Sequence, residues 1–120
     1  MFNTTGTGYL SRTRPVVDTA PDGAWRLTLL VFDRLGPREA EPWRVRWVGD
    51  AARAWHAQHQ HLLEPGAVLR VHLERARAYQ GQGGAPEIHA RVISIEIEPK
   101  RPPAVREQLS NQEQPASVAA

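Results

Sequence analysis

Apolar and polar residues alternate with period two over much of the chain. Trp25, Leu27, Leu29 and Val31 interleave with Arg26, Thr28, Leu30 and Phe32, the pattern of a strand with one face in a core. Trp43, Val45 and Trp47 interleave with Arg44, Arg46 and Val48, which predicts a second strand, apolar on one side and cationic on the other. Residues 33–42, with Gly36-Pro37 among them, read as a hairpin-type loop between the two. A further run over residues 68–79 opens with Leu69, Val71 and Leu73 against Arg70, His72 and Glu74. It turns through the glycine-rich residues 81–86, where glycine accepts positive φ, into a strand over residues 88–97. An earlier strand is expected over residues 8–17, separated from the next by the turn signal Pro21-Asp22-Gly23.

One segment breaks this rhythm. Residues 51–64 lie between Gly49-Asp50 and Pro65-Gly66 and place Ala52, Trp55, His59 and Leu62 or Leu63 on one face of a helix. Asp50 stands where an N-cap is wanted, and Pro65-Gly66 is a stop signal. Three strands, a helix and two strands is the order of the OB barrel. The expected fold is therefore all-β, a five-stranded OB-fold barrel with one α-helix between strands 3 and 4. A β-sandwich fits five strands and an interposed helix less well. Residues 99–120 hold four of the ten prolines, are otherwise mostly small and polar, and lack apolar periodicity. Such a segment cannot bury enough surface to offset its ordering entropy, so it reads as a flexible tail on a domain of residues 1–98.

Composition narrows the picture. A chain of 120 residues and 13.4 kDa, 41% hydrophobic and 23% charged, is one soluble-type domain and not a wholly disordered or fibrous chain. No stretch approaches the ~20 apolar residues of a transmembrane helix, and the first residues lack the basic and apolar regions of a secretory signal. Absent cysteine excludes disulfides, zinc ribbons and thiol nucleophiles, and fits a reducing cytoplasm. The net charge is only +2, but 14 arginines stand against the single lysine Lys100. Arginine offers a planar fork of donors that grips phosphate and stacks on flat rings.

Where those arginines fall matters more than their number. Arg75, Arg77 and Tyr79 lie at i, i+2 and i+4, and Arg44 and Arg46 share a face of the preceding strand. Four guanidinium groups and a phenol on one surface would supply phosphate contacts and a stacking platform for a single strand of nucleic acid. Phe32, on the Arg26 face, is a further stacking candidate. Trp43 is open to two readings, because strict alternation puts it with Val45 and Trp47 on the apolar face. Trp25 and Trp55 read as core residues. His56 and His59 have i, i+3 spacing that can share an ion, but no carboxylate pair or cysteine stands near to complete a site. No nucleophile elbow, phosphate-cradling loop or inward carboxylate pair points to an enzyme, and no cofactor is implied.

Four passages, in order, resemble the bacterial single-stranded DNA-binding protein family. Pro15 precedes Gly23 by eight residues, as in that family's turn before its second strand. Trp43-Arg44-Val45-Arg46-Trp47-Val48-Gly49-Asp50-Ala51-Ala52 is similar to its third strand and helix start. Leu63-Glu64-Pro65-Gly66 is similar to its helix end, and Arg75-Ala76-Arg77-Ala78-Tyr79 to the end of its next strand. The resemblance implies sequence-independent binding of single-stranded DNA in replication, recombination or repair, by a homo-oligomer, dimer or tetramer, that needs no membrane. It implies DNA contacts at Arg44, Arg46, Arg75, Arg77 and Tyr79, with Trp43 and Phe32 as additional aromatics. The pattern also departs from the family: the helix is about one turn longer, and residues 115–120 lack the acidic tip ending in Pro-Phe through which the family recruits replication and repair enzymes. A divergent member or a relative of primosomal replication protein N, working through replication or conjugation proteins, is the alternative.

Overall fold

A computed structural model describes residues 2–80, 84 and 86–99, apart from the side chain of Leu35. Strands β1 (Asn3–Leu10), β2 (Val16–Thr19), β3 (Trp25–Gly36) and β4 (Glu39–Val48) precede helix α1 (Asp50–His59) and a single 3₁₀ turn, Gln60–Leu62. Strands β5 (Val68–Tyr79) and β6 (Glu87–Ile97) follow. The order β1-β5-β6-β4-β3, with β1 pairing back onto β3, closes a ring of five strands, and β2 extends the free edge of β3. Every pairing is antiparallel except β4 with β6. The expected OB barrel is the observed fold, with its helix between the third and fourth strands of the ring.

The alternation read from the sequence sets the inside of the ring. Leu27, Leu29, Val45, Leu69 and Leu73 are fully buried, with Val31, Val71, Val92 and Ile95 nearly so. Each such side chain contributes roughly 1.5–3 kcal/mol relative to exposure. Helix α1 closes one end of the barrel with Ala52, which is buried, and Trp55, whose ring lies 5.3 Å from that of Trp47. His59 stacks on Trp55 at 4.7 Å, and its Nδ1 lies 2.8 Å from the Trp55 carbonyl. His56 meets Trp25 at 5.4 Å. All four tryptophans pack against the core.

Several boundaries differ from the expectation. The single early strand is two, β1 and β2, because residues 11–15 leave the sheet. There the Ser11 N–H bonds to Leu30 O, and Pro15 has no N–H to offer a ladder. The expected loop over residues 33–42 is mostly strand: β3 and β4 run on to a turn at Pro37-Arg38. Gly49, at φ 111°, and not Asp50, is the N-cap of α1. Glycine takes that backbone conformation without steric cost, while Asp50 lies in the first turn, where its charge complements the helix dipole. The helix relaxes to 3₁₀ geometry at Gln60, earlier than Pro65-Gly66 signalled. Of the glycine-rich turn over residues 81–86 and the tail over 99–120, all but Gly84, Pro86 and Pro99 lie outside the described residues.

Candidate nucleic-acid interface

The outer face of β3, β4 and β6 carries the residues that alternate with the core. Registers align them in rows. Arg26 of β3 lies opposite Val48 of β4 and Asp18 of β2. One step along, Arg46 lies opposite Thr28 on one side and Arg91 of β6 on the other. In the next row Arg44 lies between Leu30 and His89, and His89 lies opposite Arg77 of β5.

Strand β5 reaches this face only through a break in its own pleat. Strict alternation after Leu69, Val71 and Leu73 would turn Arg75, Arg77 and Tyr79 inward. Between the pairs Glu74↔Arg91 and Arg77↔His89, however, β5 supplies Arg75 and Ala76 against the single residue Ala90. The extra residue is a β-bulge, with Arg75 at φ 55°. It flips the phase of the strand, so Arg77 and Tyr79 pair with the outward-facing His89 and Glu87.

The result is an open groove of about 320 Å³ lined by Arg26, Arg46, Arg75, Arg77 and Arg91, together with His89, Ala20, Val48 and Ala90. No carboxylate among the described residues lines it. Arg26 is paired: its Nε and a terminal nitrogen donate to the two oxygens of Asp18, each at 2.8 Å. The guanidinium of Arg26 holds the Asp18 carboxyl below its ordinary range. Arg46, Arg75, Arg77 and Arg91 make no ion pair among the described residues. Like charges on directly paired positions destabilise a sheet, so Arg46 beside Arg91 is an arrangement that an anion would relieve.

Beside the groove lies a compensated cluster. Glu87 accepts from the Arg44 Nε and lies within hydrogen-bond distance of His89 Nε2, both through Oε1 and both at 2.8 Å. Its carboxyl is held below the ordinary range, first by the hydrogen bond from Arg44, which outweighs the opposing effect of burial, and then by the weaker contact with His89. The Tyr79 ring stacks on His89 with centroids 4.5 Å apart and planes 25° from parallel. Tyr79 keeps 51% of its surface exposed. The cluster presents a flat, half-exposed ring at the groove's margin on a support fixed by an ion pair.

The groove thus gathers Arg46, Arg75 and Arg77 from the sequence-predicted set, with Tyr79 at its margin. Arg44 lies on the same face but is engaged by Glu87. Trp43 points to the other side of β4, where it packs against the core and donates from Nε1 to Glu41. Phe32 is on the outer face at the far end of β3, opposite Pro42 and Tyr9 and apart from the groove. Arg26, His89 and Arg91 were not in the predicted set. Arg26 carried a signal, its place on the polar face of β3, whereas Arg91 and His89 meet the groove through the parallel pairing of β4 with β6.

This barrel, with its closing helix and parallel seam, superposes on solved structures. Rim1, a mitochondrial single-stranded DNA-binding protein of S. cerevisiae, aligns with a TM-score of 0.61 over 83% of this chain and 98% of its own, at 12% identity. The chain has the fold of the single-stranded DNA-binding proteins. This OB barrel also aligns with the SSB domain of a Synechococcus protein, at a TM-score of 0.57 over 80% of this chain and 94% of that one, at 13% identity. The dimeric N-terminal domain of PriB from Thermoanaerobacter tencongensis aligns at 0.56 over 82% and 97%, at 12% identity. No family model and no curated protein matches the sequence of the barrel.

Proposed function

We propose that the chain binds single-stranded DNA largely without sequence preference, through the groove of Arg26, Arg46, Arg75, Arg77 and Arg91, and serves replication, recombination or repair without catalysing a reaction. One observation carries this reading. Five arginines from four strands line one groove that no carboxylate among the described residues lines, and two of them, Arg46 and Arg91, are direct register partners. Unpaired guanidinium groups in an open groove suit a phosphate backbone, and Tyr79 on its His89 support suits an unstacked base. Two of the proteins that share the fold, Rim1 as a single-stranded DNA-binding protein and the Synechococcus SSB domain, support the same reading. Assembly as a homo-oligomer is part of it, in keeping with the dimer described for PriB.

Titration of the full chain with oligo-dT at two salt concentrations tests the proposal. Neutralising about five phosphates gives a log-log salt slope of about −3.5. Binding that is undetectable, or insensitive to salt, overturns it. Tyr79→Ala should cost about tenfold in affinity, the lower end of the roughly 1–3 kcal/mol that a stacked base contributes.

A further inference from the structure

A second cationic surface lies where β1 gives way to β2. The connecting residues are clamped from both sides: Leu10 N–H bonds to Ala67 O, Gly66 N–H to Leu10 O, and Ser11 N–H to Leu30 O. The buried Ser11 also accepts from the Thr13 N–H through its Oγ at 3.1 Å. Pro15 then fixes its own φ and holds the preceding Arg14 extended. Arg12 and Arg14 are thereby held out from the barrel, both exposed, along one wall of a cleft of about 680 Å³ whose other wall includes His56 and Gln60 of the helical segment. Neither arginine makes an ion pair among the described residues. Among the described residues the single carboxylate on the cleft is that of Glu64, which is itself engaged.

The cleft and the groove are joined by β2. Asp18, opposite Arg26 at the groove's edge, lies four residues along the chain from Arg14, a reach of about 13 Å along an extended strand. The residues between them include Val16 and Val17, which are half exposed and carry no charge.

We infer that the Arg12–Arg14 cleft is a second phosphate-contacting site for single-stranded DNA, which a strand occupying the groove reaches by passing over β2. The inference rests on the proposed function of the groove. It predicts a dependence on strand length that the groove alone does not produce. A strand of about 8 nucleotides fills the groove, whereas one of about 30 nucleotides reaches both sites, within and beyond the span of a single OB fold.

The test compares the wild-type full chain with Arg12→Ala/Arg14→Ala, using oligo-dT of both lengths across a salt series. The substituted side chains are exposed and make no ion pair among the described residues, so the variant keeps the fold. The short strand should bind both proteins within twofold. The long strand should bind the variant about tenfold more weakly, with a salt slope shallower by about 1.4 for two lost phosphate contacts. Unchanged affinity for the long strand overturns the inference, as does an equal loss for both lengths. Arg46→Ala/Arg77→Ala separates the two readings: if it leaves the short strand's affinity intact, the groove is not the binding surface, whatever the cleft does.

Discussion

Arg44 of β4 and Glu87 of β6 form an ion pair at 2.8 Å across the parallel seam of the barrel. The oxygen that accepts from Arg44 also lies 2.8 Å from His89, which carries the Tyr79 ring on its face. Glu87 therefore does two opposed things. It fixes the aromatic support, and it withholds one guanidinium charge from the groove.

Glu87→Gln separates those effects. With Arg44 released, single-stranded DNA should bind severalfold more tightly, with a salt slope steeper by about 0.7 for one added phosphate contact. Unchanged affinity and slope would show that Arg44 does not reach the strand.

The same pair sets an acid dependence. Arg44 lowers the Glu87 pKa in the folded state relative to the unfolded chain. A depressed carboxylate contributes stability that is fully present above its unfolded pKa of about 4.3 and is lost as pH falls through the folded value. Both partners are partly open to solvent, so the contribution is at most about 1 kcal/mol. Denaturant melts should therefore show the wild type losing more stability than Glu87→Gln between about pH 5 and pH 3.

Asp18 holds the guanidinium of Arg26 that the proposed DNA contact would need. Its two oxygens occupy the fork that a phosphate would take. Asp18→Asn should raise affinity for oligo-dT by about two- to fivefold at low salt, an advantage that fades as salt screens the exposed pair. Weaker binding by this variant would mean that Asp18 positions Arg26 instead of competing for it.

The bulge at Arg75 carries a backbone cost. A non-glycine residue at φ 55° is disfavoured by about 1 kcal/mol. Arg75→Gly and Arg75→Ala remove the same charge, but only glycine relieves the backbone. The glycine variant should be the more stable of the two by about 1 kcal/mol in urea denaturation, while both lose DNA affinity to a similar extent. Equal stabilities would place Arg75 outside the left-handed region in solution.

Gly8 marks the place where β1 crosses β3. A Cβ there would stand 2.5 Å from the Val31 Cγ1 and 3.0 Å from the Phe32 carbonyl oxygen. Gly8→Ala should destabilise the barrel by about 1–3 kcal/mol through overpacking at ring closure. Gly6→Ala, on the same strand with open space around it, is the control and should be close to neutral.

The sequence reading found what is local. The strands around Leu27 to Val31 and Val45 and the helix carrying Ala52 and Trp55 were legible because each repeats its period over several residues. The grouping of Arg75, Arg77 and Tyr79 was also legible, although alternation alone gives the wrong reason for it. After Leu73 the odd positions switch from apolar to charged, and the bulge is the physical meaning of that switch. Arg91 was invisible as a neighbour of Arg46 because their pairing belongs to a parallel seam that no turn signal announces. The split of the first strand escaped for a related reason. Its cause is a set of hydrogen bonds from Leu10 and Ser11 to distant carbonyls of Ala67 and Leu30.

That parallel seam also bears on how the groove comes to exist. The β3–β4 and β5–β6 ladders join strands that follow one another along the chain, whereas the contact of Arg44 with Glu87 spans 43 residues. Such a closure carries a loop entropy that nearby pairings do not, and it slows barrel folding toward the millisecond-to-second range. Arg46 and Arg91 face each other only once the seam has formed. A nascent or half-assembled chain therefore holds its arginines in two separate groups, and the cationic groove itself arises in the same cooperative step that joins them.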